Sequence, residues 1–254
     1  MLAGGGVRLL LVNGNTTQAA TELALGEARR VASRGTEIEG VTARFGAAIV
    51  SNAAHDVIAA HAVLDALARS YRGFDAAILA ISLDSGLSAA RRLLPMPVIG
   101  MTEAALFMAC MLGDRFGMIT MGRETRRLYV ELAERHGVGC RLAECRTVQM
   151  ASPVAGDELA DRIADEARSI VAGIDVDAII ICGVALTGMA RRLQSSVPVP
   201  LLDGIACGVR QAEMLVRASF PFSFRSVARP APGMTGVSPE LAALFAASQP
   251  LKEE

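Results

Sequence analysis

The sequence predicts an α/β fold of two pseudo-symmetric lobes that face each other, each a mostly parallel sheet flanked by helices. Three observations predict it. Short apolar runs alternate with amphipathic stretches along the chain, the rhythm of βα units that wind into layered sheets. Runs such as 74–81 (FDAAILAI) and 177–182 (DAIIIC) are continuously apolar, as strands covered on both faces are. The stretch around Phe74 is also echoed about a hundred residues later, a period far above that of solenoid repeats.

The elements follow in order. Residues 7–12 (VRLLLV) read as a first strand that ends in the polar turn Asn13-Gly14-Asn15-Thr16-Thr17. Residues 18–32 place Ala24, Ala28 and Val31 at helical spacing, and 41–45 read as a second strand. Residues 55–69 form a helix with Ile58, Ala62 and Leu67 toward one side, and 74–81 a buried strand. The pattern then continues as strand 97–100, helix 102–112, strand 115–120 and helix 123–136. Strand 141–148, helix 157–173, strand 177–182, strand 200–203 and helix 205–217 complete it. A Pro-, Gly- and Ser-rich tail closes with a short helix at 239–247.

The echo pairs Phe74-Asp75-Ala76-Ala77-Ile78-Leu79 with Val176-Asp177-Ala178-Ile179-Ile180-Ile181. Each copy leads through small residues to a helix with two arginines, Arg91-Arg92 and Arg191-Arg192, expected to face solvent. Each then reaches a Pro-Val and another strand. The expected division is a first lobe of residues 1–98 plus 209–254 and a second of 99–208.

Composition excludes several classes. The formal net charge of the 254 residues is -1 and aromatics make up 4% with no Trp. No global field recruits nucleic acid, and no stacking platform suits single strands. Mean hydropathy is +0.40, yet no apolar run reaches the length of a membrane span. Five cysteines, odd in number and without zinc spacing, read as thiols of a reducing compartment, so a cytoplasmic location is expected.

Ligands of parallel α/β sheets sit beyond the carboxyl ends of the strands. Three such ends carry chemistry. Asn13, Asn15 and Thr16 could cradle a carboxylate or ureido group, or simply cap a helix. Ser82, Asp84 and Ser85 follow the second candidate strand, where Asp84 is either a helix cap or a base. Gly183, Val184 and Thr187 follow the third, with Cys182 at the strand end, and their small size lets a ligand approach the backbone. Thr120 ends a fourth strand. His55, His61 and His136 read as structural, His136 as a cation at a helix C-terminus. Arg225 and Arg229 in the C-terminal loop either reach a carboxylate or form a loop salt bridge.

The segments LLVNGNTT, IAAHAVLDALA, FDAAILAISLDSGLSAARRLLPMPVIGMTEAA, RFGMIT, DAIIICGVALTGMARRL and VPLLDGIACGVRQAE together resemble the aspartate/glutamate/hydantoin racemase superfamily. The resemblance implies an active-site cleft between the two lobes, with one cysteine after a strand of each, one removing the proton alpha to a carboxylate or carbonyl and the other returning a proton to the opposite face, without a cofactor. This chain departs from the pattern at both places. Aligning Asp84 and Gly86 puts Ile81 at the first cysteine, and aligning Gly188 puts Gly183 at the second. Cys182 is one residue away, on the opposite strand parity.

The candidate catalytic groups are therefore Cys182, Asp84 and Glu103. Asn13, Asn15, Thr16, Ser82, Ser85, Thr120, Gly183, Val184 and Thr187 are the candidate binding groups. The resulting expectation is a cofactor-independent racemase-like enzyme acting alpha to a carboxylate or cyclic amide carbonyl, without the two-cysteine mechanism. A decarboxylase, lyase or hydrolase on the same fold is the alternative, and a non-catalytic carboxylate binder the second. Expected partners are a small carboxylate or cyclic ureide and further copies of the chain, with no nucleic acid and no membrane.

Overall fold

A computed structural model describes residues 6–148, 157–220 and 233–247. The chain forms two parallel sheets of four strands each with the same order, β2-β1-β3-β4 and β6-β5-β7-β8. The first comprises β1 (Val7–Asn13), β2 (Thr36–Thr42), β3 (Ala76–Leu79) and β4 (Val98–Gly100). The second comprises β5 (Phe116–Met121), β6 (Leu142–Val148), β7 (Ala178–Ile181) and β8 (Leu201–Asp203). The helices are α1 (Gln18–Val31), α2 (Ala53–Ser70), α3 (Leu87–Leu93), α4 (Met101–Leu112), α5 (Arg123–Arg135), α6 (Asp157–Gly173), α7 (Met189–Leu193), α8 (Gly204–Arg217) and α9 (Pro239–Ala247).

The two-lobed α/β expectation holds, with one displaced strand. The second strand is Thr36–Thr42 and not 41–45. Its alternating TEIEGVT sequence suits an edge, where one side of the ladder and one face are open. Arg225 and Arg229 lie outside the described residues.

Strand parity sorts the core. Leu9, Leu11, Ile78 and Ala80 of the first sheet share one cluster with Met118, Ala178, Ile180 and Cys182 of the second. The alternate residues Leu10, Val12, Ala77, Leu79 and Ile81 face outward onto α2, α3 and α9. On the second sheet Ile119, Ile179 and Ile181 face α6 and α7. Both sheets are thus covered on two faces, which is why their central strands are unbroken apolar runs.

Two helices tie the lobes together. α4 leaves the first sheet and packs against β7 and β8 of the second, while α8 leaves the second and packs against β3 and β4 of the first. α8 is anchored further by Glu213, whose carboxylate accepts from Ser33 N, Ser33 Oγ and Thr36 Oγ1 at 2.6–2.8 Å. Burial alone would raise this carboxyl's pKa, but the donors of Thr36 and Ser33 hold it below the usual carboxylate range.

The pairing register defines which residues are equivalent. Leu79 pairs with Val12 and Gly100 as Ile181 pairs with Ile119 and Asp203. By this count Ile81 corresponds to Gly183, Ala80 to Cys182 and Gly100 to Asp203. The N-terminus of α8 is capped by Asp203, whose Oδ1 accepts from Ile205 N and Ala206 N. α4 receives the same service from a different residue. Asp84 reaches in from the β3–α3 loop and accepts from Thr102 N at 3.1 Å and Glu103 N at 2.7 Å. Gly100 must lack a side chain here, because a Cβ would lie 2.4 Å from the Asp84 carboxyl carbon.

The arginine pairs are only partly free. Arg91 grips Glu103 through both guanidinium nitrogens and donates from Nε to Val98 O at 2.8 Å. Arg192 pairs with Asp157, and Arg191 lies 3.8 Å from Glu27. Arg91, Arg191 and Arg192 thus each meet a carboxylate on a neighbouring helix, which a linear sequence does not display.

Candidate active site

The carboxyl ends of β1, β3, β5 and β7 converge on a cavity of about 160 Å3 between the lobes. Asn15, Ser82, Thr120, Cys182, Gly183 and Val184 line it. Asn13 stands behind that wall. It is fully buried, and its amide donates to Asn15 Oδ1, Thr17 O and Thr21 Oγ1 at 2.9–3.2 Å. These bonds occupy Asn15 Oδ1, which also accepts from Thr17 N, so the Asn15 amide N–H2 is turned to other use.

The remaining expected site residues stand elsewhere. Thr16 is half-buried and its backbone N–H holds Ala47 O at 3.1 Å. The Ser85 hydroxyl donates to Asp56 on α2. Thr187 is buried outside the cavity lining, with its hydroxyl unpartnered. Asp84 and Glu103 line a second groove, not the cavity that holds Cys182. Their geometry is that of a helix cap and an ion pair; Asp203 gives α8 a similar cap, and Glu27 of α1 pairs with Arg30.

The lobes meet inside the cavity. Val184 N–H of the second lobe donates to Ser82 Oγ of the first at 2.8 Å. The Ser82 carbonyl accepts from Thr102 Oγ1 at 2.6 Å, which ties the loop to α4. Cys182 is buried, with its thiol directed at Ile180 O at 3.7 Å. Burial above all, then the nearby Cys145 and Asp84, pushes its pKa well up, so the thiol is neutral near pH 7.

Tyr129 is the cavity side chain with buried polar contacts that sequence reasoning missed. It sits on the apolar face of α5 with Leu132 and Ala133 and is buried in the cavity wall. Its hydroxyl bonds with Ser82 and Thr120. Burial foremost, and the adjacent Cys182, raise its pKa far above the usual value, so it is a neutral donor. The available signal was slight: one of two tyrosines in the chain, at a core position where a buried phenol needs a partner.

The two positions where family cysteines are expected differ in kind. Ile81 presents an aliphatic wall. Gly183 has φ 127°, a conformation that essentially only glycine adopts without strain. Space is not the obstacle, since a Cβ there would meet only Leu186 at 3.8 Å. Gly183→Ala is therefore expected to lower stability by about 1–3 kcal/mol through backbone strain. Thermal unfolding should show a drop of roughly 3–10 °C, and an unchanged melting temperature would remove the strain argument.

Among the described lining residues there is no Asp, Glu, Lys, Arg or His. No group of three or more His, Cys, Asp or Glu that could hold a metal occurs among the described residues. No helix among them is long and apolar enough to cross a membrane.

Fold and cavity together define a two-lobed α/β protein with a cavity where its strand ends meet. Comparison with known proteins makes the class specific. The model of the Asp/Glu/Hydantoin racemase family matches residues 9–212, and the chain belongs to that family. A hydantoin racemase of Pseudomonas sp. (strain NS671) is 27% identical over 217 residues, 83% of this chain and 86% of that protein. The allantoin racemase from Klebsiella pneumoniae superimposes with a TM-score of 0.84 at 29% identity, over 94% of this chain and 99% of that one. The allantoin racemase from Pseudomonas fluorescens gives a TM-score of 0.82 at 31% identity, over 90% of this chain and 100% of that one.

Proposed function

We propose that this protein is a cofactor-independent, racemase-like enzyme that acts on the carbon alpha to the carbonyl of a small neutral cyclic ureide. The observation that carries this reading is the uncharged polar lining of the cavity. A carboxylate buried there would lose its hydration without gaining a cation, at a cost of several kcal/mol. A cyclic ureide is neutral and alternates N–H with C=O. Asn15, Ser82, Thr120 and Tyr129 supply matching donors and acceptors. The names of the hydantoin and allantoin racemase relatives support the same substrate class.

In this reading Cys182 is the proton carrier. Its thiolate takes the alpha proton and its thiol returns one, while the Tyr129 and Ser82 hydroxyls steady the charge that develops on the carbonyl oxygen. The wall at Ile81 carries no acid or base. Inversion then requires the enolate-like intermediate to turn over or to take a proton from water. A single enantiomer of a hydantoin in deuterated water should therefore acquire alpha-deuterium faster than it racemises, whereas free aspartate and glutamate should show neither. Exchange in the amino acids but not in the hydantoin would overturn the substrate class.

The one-sided protic wall also favours a second reading, a decarboxylase or lyase in which a single face is protonated. Loss of CO2 from a malonate-type substrate, without exchange in the hydantoin, would select it. Binding of the ureide with thermal stabilisation and neither chemistry would mark a binding module. The same proposal takes the protein as a cytoplasmic homo-oligomer whose lobes are residues 1–98 plus 209–254 and 99–208. Exposed Phe107, Met111 and Leu112 on α4 and Met214 on α8 support self-association.

A further inference from the structure

The groove behind the β3–α3 loop, about 560 Å3 in volume, holds a side-chain cluster that the cavity chemistry does not use. His136, the residue that ends α5, lies with Nε2 3.7 Å from Asp84 Oδ2 and Nδ1 3.5 Å from Glu103 Oε1. Its Nε2 is buried and has no hydrogen-bond partner. Arg91 faces the same space but is bound to Glu103, and the Phe107 ring meets the imidazole edge-on at 6.1 Å. Arg92 and Arg135 line the groove with exposed side chains.

Asp84 and Glu103 place two carboxyl groups in the buried wall, and Arg91 is bound to the second of them. Arg92 and Arg135 are solvent-screened. The two ring nitrogens of His136 face these carboxyl groups, Nε2 toward Asp84 and Nδ1 toward Glu103. The counterpart groove, lined by Glu27, Arg30, Arg191 and Asp203, repeats the carboxylates and guanidiniums but contains no histidine. The imidazole is thus particular to the side that adjoins Ser82.

Two contacts connect the groove with the cavity. Tyr129 lies seven residues before His136, two turns along the same face of α5. Asp84 lies two residues after Ser82 on the same loop. The same helix therefore meets the same loop twice, through Tyr129 with Ser82 and through His136 with Asp84. We propose that His136 is a positioning residue whose imidazole bridges the end of α5 to Asp84 and Glu103, and so sets how Tyr129 and Ser82 face each other in the cavity. The proposal rests on that cavity being the active site.

Amide hydrogen exchange on the intact protein without substrate tests it. At neutral pH the protection of residues 82–87 and 101–104, corrected for intrinsic rates, should fall about tenfold in His136→Ala and stay near the natural value in His136→Lys, which returns a donor to the carboxyl groups, with segments remote from the groove unchanged in both. Natural protection in His136→Ala would overturn the proposal.

If His136→Ala fails to fold, NMR of the natural chain decides. The sequence has three histidines, so H55Q and H61Q assign the His136 imidazole by elimination. Its ring resonances should move in Glu103→Gln, and unmoved resonances would refute the tie. No arm uses turnover, so failure here is separable from failure of the ureide reading.

Discussion

Cys182→Ala should slow alpha-proton exchange in a hydantoin by roughly a hundred- to ten-thousand-fold, the usual contribution of a positioned acid–base group. The thiol is the one group in the described cavity wall whose proton an enolate-forming step can use. The other polar side chains, Asn15, Ser51, Ser82, Thr120, Thr125 and Tyr129, are an amide and five hydroxyls. Folding should be affected far less, because the change removes one buried sulfur, at a cost on the order of 1 kcal/mol. Burial raises the thiol pKa, so the thiolate is scarce at neutral pH. The exchange rate should accordingly climb as pH rises above 7 and show no plateau there. Full exchange activity in Cys182→Ala would exclude the thiol and leave the hydroxyls to carry the chemistry.

Asp84→Ala should destabilise the fold by about 3–5 kcal/mol, a large part of a typical total. Thr102 N–H and Glu103 N–H would lose their acceptor, at about 1–3 kcal/mol for each buried donor. Asp84 also has φ 52°, a left-handed conformation that an alanine bears at roughly 1 kcal/mol more than an Asp or Asn. Urea unfolding measures the sum, and a loss under about 1 kcal/mol would mean that the cap is dispensable.

Asp84→Asn separates geometry from charge. Burial pushes the Asp84 carboxyl up, and the His136 imidazole with the two backbone donors only partly opposes this. A raised folded pKa means that the stabilisation is complete below the unfolded value of about 3.9 and fades as pH rises through the folded value. The stability advantage of the natural chain over the Asp84→Asn variant should therefore shrink with rising pH. An advantage that grows with pH would contradict the direction of the shift.

Much of the fold was legible because it depends on local periodicity. The unbroken apolar runs at 76–79 and 178–181 required two covered faces, and the hundred-residue echo required two similar lobes. The displaced second strand shows where this stops. Residues 36–42 alternate weakly at a sheet edge, and little burial supports them. Of the site, Asn15, Ser82, Thr120 and Cys182 were legible as strand-end residues, because parallel sheets place those ends together. Tyr129 was not, since it enters from the middle of an amphipathic helix whose face is set by packing.

By itself the sequence determined the layered α/β class, the family pattern and the absence of cysteine at positions 81 and 183. Only the tertiary structure decided what those facts mean for the site. It placed Cys182 in the cavity wall beside Tyr129, and it removed Asp84 and Glu103 to a separate groove as a cap and an ion pair. The reason is physical. Strand parity and helix caps are local and leave marks in sequence, whereas the partner of a buried carboxylate or phenol is chosen by how two lobes pack.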